Sequence, residues 1–171
     1  MTIVYPLVKG RNFSLSKLID AAGTTVYGYD QVGQMLSEGG LWPNDTVNFS
    51  YANRLRTSLG IASPTGSEWL QSYDYDTARR LTVTTSPAGA FDYQYDPVEL
   101  QRVDTLNLPN GAAITNAYDG NARLTITALI NSSGADLDSY AYIYNKANQR
   151  TNVLRTAGDH GASVSSHFLN C

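Results

Sequence analysis

Apolar and polar residues alternate in short runs along this chain, and no window of 11 or more residues holds a helical period. In FDYQYD, Phe91, Tyr93 and Tyr95 fall on one face of an extended strand, and Asp92 and Gln94 on the other. The same period of two recurs in Tyr27/Tyr29, Val47/Phe49/Tyr51, Tyr73/Tyr75 and Tyr140/Tyr142/Tyr144. Weaker alternation follows in LTVTTS and LTITALI, both rich in β-branched residues. LSKLIDAAG near the start reads as one helical turn or as a strand entering a turn at Gly23.

The runs repeat. Anchored on their last tyrosine they fall at Tyr29, Tyr51, Tyr75, Tyr95, Tyr118 and Tyr144, in steps of 22, 24, 20, 23 and 26 residues. A second series, Gly23, Gly40, Gly66, Gly89, Gly111 and Gly134, interleaves with the first. Two turns per repeat imply two strands per repeat, so the pattern predicts an all-β antiparallel meander of hairpins, a curved sheet or partial shell or barrel. Asp30, Asp76, Asp96 and Asp119 follow their anchor tyrosines, where a carboxylate can accept a backbone N–H two residues on. Gly33 then offers a residue able to take positive φ. The opposite turns are SPTGS, SPAGA, LPNGA and NSSGA, and Asn110-Gly111 is the strongest hairpin signal. Residues 1–155 form the predicted repeat domain. Residues 156–171 form an irregular tail, frayed or carrying a short closing strand around Val164 to Leu169.

The tandem pattern resembles the YD-repeat, or Rhs, family: an aromatic, a spacer, Tyr-Asp, two variable residues, Gly-Arg, then an aliphatic. The closest copies are YGYDQVGQM at 27–35, YDYDTARRL at 73–81 and AYDGNARL at 117–124. The resemblance covers roughly residues 15 to 150. Arg79, Glu99, Ala122 and Asn148 stand where the family carries glycine, arginine follows the turn at Arg80 and Arg123, and the second copy, YANRL, has lost its aspartate and part of its turn. The resemblance implies β-hairpins coiled into a shell that encloses or displays a payload, as in bacterial Rhs proteins, insecticidal toxin complexes and teneurins. Six repeats are too few to close such a shell, so the chain resembles a wall fragment or a small relative. Open sheet edges then favour self-association or docking into a parent shell.

Composition narrows the field. There are 12 Tyr against 4 Phe, rings with an apolar body and a hydroxyl that needs a partner when buried. Net charge is −3 with scattered charges, which argues against nucleic acid as a partner. No apolar stretch approaches the roughly 20 residues of a membrane span. MTIVYPLVKGRNFSL lacks the basic region and long apolar run of a secretory leader. The lone cysteine, Cys171, permits no internal disulfide.

The leading reading is a non-catalytic scaffold with no cofactor. The alternative is an ester or lactone hydrolase, with His160, His167, Asp159 and Ser163 as its candidate residues. His160 and His167, spaced H-x6-H, with Asp159 and Cys171 match no standard zinc arrangement. Calcium is the better-motivated metal. Asp74, Asp76, Asp92, Asp96, Asp119, Asp136 and Asp138 offer carboxylates that would meet if neighbouring turns stack. A third reading is carbohydrate binding by tyrosine stacking or by Trp42 and Trp69, which lie off the anchor positions.

Overall fold

The computed structural model describes residues 2–4, 15–42, 44–63, 67–98, 101–157 and 163–167. These contain fifteen strands and no helix. The chain divides into two units, residues 1–89 and 90–171. The first holds β1 (Thr2–Val4), β2 (Lys17–Ile19), β3 (Thr24–Tyr29), β4 (Met35–Gly39), β5 (Val47–Ala52), β6 (Leu55–Ile61), β7 (Trp69–Tyr75) and β8 (Leu81–Ser86). The second holds β9 (Gly89–Tyr95), whose first residue closes the first unit, β10 (Val103–Asn107), β11 (Ala113–Tyr118), β12 (Leu124–Ile130), β13 (Asp136–Tyr144), β14 (Arg150–Ala157) and β15 (Ser163–His167). Within each unit every strand pairs antiparallel with its neighbours in the chain. The all-β meander with two strands per repeat is therefore observed. The segment LSKLIDAAG takes its extended option as β2, β14 runs on to Ala157, and β15 lies in the stretch where a closing strand was expected.

Register separates two faces in each unit. In the first, Tyr27, Glu38, Val47, Ile61 and Trp69 form one cross-strand row, and Phe49, Leu59 and Gln71 another. The opposite face carries Gly28, Ser37, Asn48, Gly60 and Leu70, then Ser50, Ser58, Ser72 and Thr85. One face is aromatic and the other small and polar. In the second unit, Tyr93, Leu106, Ile114 and Leu129 line the tyrosine face. Ala117, Ile126, Ala141 and Leu154 line the reverse.

Neither unit has a second layer over its sheet among the described residues, since strands meet only their chain neighbours and the large side chains stay partly exposed. Two packed layers are the usual way a sheet buries its apolar face. Among the described residues no large side chain is fully buried, and the buried positions are the small residues Gly60, Thr84, Ala112, Ala113 and Ala128. Stabilisation must come from half-buried cross-strand pairs and from the turns.

Among the described residues six turns share one geometry, beginning at Asp30, Asp76, Leu108, Asp119, Asn131 and Asn145. In each, the first residue's N–H donates to the carbonyl four residues on. The N–H three residues on donates back to the first residue's carbonyl. That third residue is left-handed: Gly33 (φ 86°), Arg79 (66°), Gly111 (82°), Ala122 (65°), Gly134 (83°) and Asn148 (62°). This is a type I turn closed by a residue in the αL region, a three-residue hairpin loop. The tyrosine-aspartate series and, at Gly111 and Gly134, the glycine series thus build the same turn at opposite strand ends. Having Arg79, Ala122 and Asn148 in place of glycine leaves that turn intact. It places a side chain where an L-residue costs about 1–2 kcal/mol.

The shortened copy YANRL makes a different turn. Ala52 pairs with Leu55, and Asn53 (φ 52°) and Arg54 (φ 65°) are both left-handed, as a two-residue type I′ hairpin demands. Arg54→Gly would supply the Asn-Gly dipeptide this turn prefers. It is expected to raise stability by up to about 1 kcal/mol, or about 2–4 °C in melting temperature. Gly33→Ala is expected to lower stability by a similar amount. Thermal melts of both variants check this, and an Arg54→Gly protein that melts lower contradicts the assigned turn.

Candidate functional site

The aspartate turns do more than reverse the chain. In the turn at Asp76, Oδ1 accepts the Arg80 backbone N–H (2.9 Å) and Oδ2 accepts Arg80 Nε (2.6 Å). At Asp119, Oδ1 accepts the Asn121 and Arg123 N–H groups, and Oδ2 accepts Arg123 Nε (2.7 Å). Backbone and guanidinium donors hold both carboxyls below the usual carboxylate range. The Arg80 backbone bond leads at Asp76, and the Arg123 side chain leads at Asp119. Asn145 repeats the design without charge, accepting the Ala147 and Gln149 N–H groups and donating through Nδ2 to Gln149 Oε1.

The arginine then reaches the next repeat. Arg123 stacks on the Tyr144 ring, 4.8 Å from its centroid, and donates to the Asn145 carbonyl and to Asn148 Oδ1. The Tyr144 hydroxyl returns a hydrogen bond to the Leu124 carbonyl, one residue past that arginine (2.8 Å). One repeat earlier, Arg102 stacks on Tyr118 at 4.7 Å, and the Tyr118 hydroxyl donates to the Val103 carbonyl (3.0 Å). In the first unit, Tyr75 donates to the Arg56 carbonyl (2.8 Å), and Arg79 Nη2 reaches back to the Asn53 carbonyl (3.0 Å). Burial raises the Tyr75 and Tyr118 phenols above their ordinary value. Each clasp joins one repeat's turn to the next repeat's anchor tyrosine.

Arg102 was missed in the sequence. The turn at Asp96 is two residues longer than its counterparts, yet the Asp96 N–H still donates to the Arg102 carbonyl. Arg102 Nη2 lies 3.6 Å from Asp96 Oδ2. Counting back from β10 instead of forward from the tyrosine would have found it. Glu99, set in the glycine position by forward counting, lies outside the described residues.

The proposed calcium ligands divide. Asp76, Asp96 and Asp119 are each matched by an arginine of their own turn, and Asp138 accepts a bidentate pair from Arg155. Asp92 accepts from Asn107 Nδ2 (3.2 Å). Asp136 lies at the start of β13. Among the described residues no three His, Cys, Asp or Glu side chains come together. Of the hydrolase candidates, Asp159 and His160 lie outside the described residues, as does Cys171. Ser163 and His167 begin and end β15, so their Cα atoms stand roughly 13 Å apart along the strand.

Trp42 is 73% exposed in the loop after β4, where Asp45 Oδ1 accepts the Gly40 N–H and Oδ2 the Trp42 N–H. Trp69 opens β7, paired with Ile61. The structure also shows a groove of about 400 Å³ where the repeat is irregular, between the shortened Asn53-Arg54 turn and the Asp76 turn. Leu55, Thr57, Tyr73, Asp74, Tyr75 and Arg79 are among its lining.

Two outcomes check the clasp. Tyr144→Phe is expected to cost about 1 kcal/mol and Arg123→Ala a similar amount, with their double variant less than the sum. Strict additivity in chemical denaturation contradicts the link. The depressed carboxyls at Asp76, Asp119 and Asp138 give a stability term that is complete above the unfolded value of about 4 and lost as pH falls through the lower folded values. The triple Asp→Asn variant should therefore lose much less stability than the parent on acidification below about pH 4. Parallel pH profiles contradict the assignment.

No protein-family model matches the chain, and no curated protein does. Among solved structures, a chain in the crystal structure of TcdB2-TccC3-TEV is similar over 84% of this chain, with a TM-score of 0.68 and 16% identity. A chain in the crystal structure of TcdB2-TccC3-Cdc42 is similar over 84%, with a TM-score of 0.55 and 11% identity. This chain spans 8% and 10% of those chains. At such identities the likeness to these chains is one of fold.

Proposed function

We propose that this chain is a non-catalytic wall segment: a β-repeat sheet that scaffolds, encloses or presents another molecule. The observation that carries this reading is a sheet with no second layer among the described residues, whose repeats are bound turn to tyrosine. Such a sheet has two faces available, one of them aromatic. The similar solved chains are about ten times longer than this one, which favours a segment of a larger wall. Among the described residues β1 pairs only with β2, and β15 only with β14. Both strands offer backbone donors and acceptors to a further strand. Within this reading the partner is a parent shell or a second copy of the chain.

Size-exclusion chromatography with light scattering, together with hydrolysis assays, tests the proposal. The expected result is concentration-dependent association, with no turnover of an activated ester or an acyl-lactone with calcium or with chelator. A monomer at all concentrations that turns over either substrate, and keeps the activity through repurification, overturns it.

A further inference from the structure

We propose that the groove beside the shortened turn is a binding site for a neutral pyranose sugar. Its volume, about 400 Å³, falls within the range of small-ligand pockets and suits one or two sugar rings. It lies where one three-residue loop has become a two-residue loop, so the Asp76 turn has no equal neighbour at that edge. The break in the repeat makes the space.

Charge selects the ligand class. Asp76 spends one carboxylate oxygen on the Arg80 N–H and the other on the Arg80 guanidinium. The remaining charges in the lining are one carboxylate, Asp74, and one guanidinium, Arg79. They cancel, so neither a cation nor an anion gains net attraction. Calcium wants six to eight oxygens, and Asp74 is the one carboxylate in the lining not already spent. A neutral polyol suits the set better, because each hydroxyl both donates and accepts.

The lining supplies both kinds of partner. Asp74 accepts. Arg79 gives Nη2 to the Asn53 carbonyl and keeps the other donors of its fork. The Asn53 amide and the Thr57 and Thr77 hydroxyls serve as donors or acceptors. Ala52 and Leu55, which register puts on the same face as Asp74, offer an apolar floor suited to the C–H face of a pyranose.

Saturation-transfer NMR tests the site with the methyl glycosides of glucose, galactose, mannose and N-acetylglucosamine. Each is used at about 10 mM, suited to a dissociation constant near 1 mM. At least one is expected to bind, with affinity reduced about tenfold by Asp74→Ala and by Arg79→Gly, the equivalent of one lost hydrogen-bonded contact. Trp42→Ala should leave binding unchanged. If Asp74→Ala unfolds the protein, Arg79→Gly decides, because glycine favours the left-handed backbone at that position. No transfer to any of the four sugars overturns the proposal. So does transfer that survives Arg79→Gly, or backbone shifts at residues 53–57 and 73–79 caused by calcium chloride or inorganic phosphate but by none of the sugars.

Discussion

Everything in this sheet depends on the side chain that opens the tyrosine-side turns. An aspartate or asparagine there accepts backbone N–H groups that would otherwise face solvent unpaired, and so fixes the loop in one geometry. At Asp76 and Asp119 its second oxygen holds an arginine. Where that arginine meets the next tyrosine, as Arg123 meets Tyr144, the turn becomes a link between repeats. The tyrosine hydroxyl closes the link on the carbonyl beyond the arginine. Tyrosine in place of phenylalanine at the anchor therefore has a physical reason: the ring receives a cation and the hydroxyl ties the backbone.

Such links replace a core. No large side chain is fully buried among the described residues, and strands meet only their chain neighbours. Stability is then a sum of hairpin terms and nearest-neighbour terms, as in other repeat proteins. It also leaves aliphatic side chains exposed on the reverse of the second unit. Ile126, Ile143 and Leu154 there are 46%, 56% and 40% exposed. A sheet built this way is suited to bounding a space, because neither face is consumed in holding the fold together.

Much of this was legible in the residues. The period of two placed Tyr93 and Tyr95, and the interleaved glycine series revealed two strands per repeat. The Asx role of Asp30, Asp76 and Asp119 followed from their position after tyrosine. What escaped notice depended on partners distant in sequence. The stacking of Arg123 on Tyr144 spans 21 residues, and no local pattern encodes it. Arg102 was hidden by a two-residue longer loop. Arg79, Ala122 and Asn148 hold the left-handed position without glycine because the Asx bonds around them fix the backbone. The groove was invisible for a similar reason, since it arises from a mismatch between neighbouring turns.

Amide hydrogen exchange, read residue by residue on the native protein, tests the central claim that these turns are structural joints. The Arg80, Arg123 and Gln149 amides, each given to an Asx side chain, should exchange nearly as slowly as mid-strand amides such as those of Thr127 and Tyr142. Turn amides exchanging at the rate of an unstructured peptide, while those strands stay protected, would contradict it.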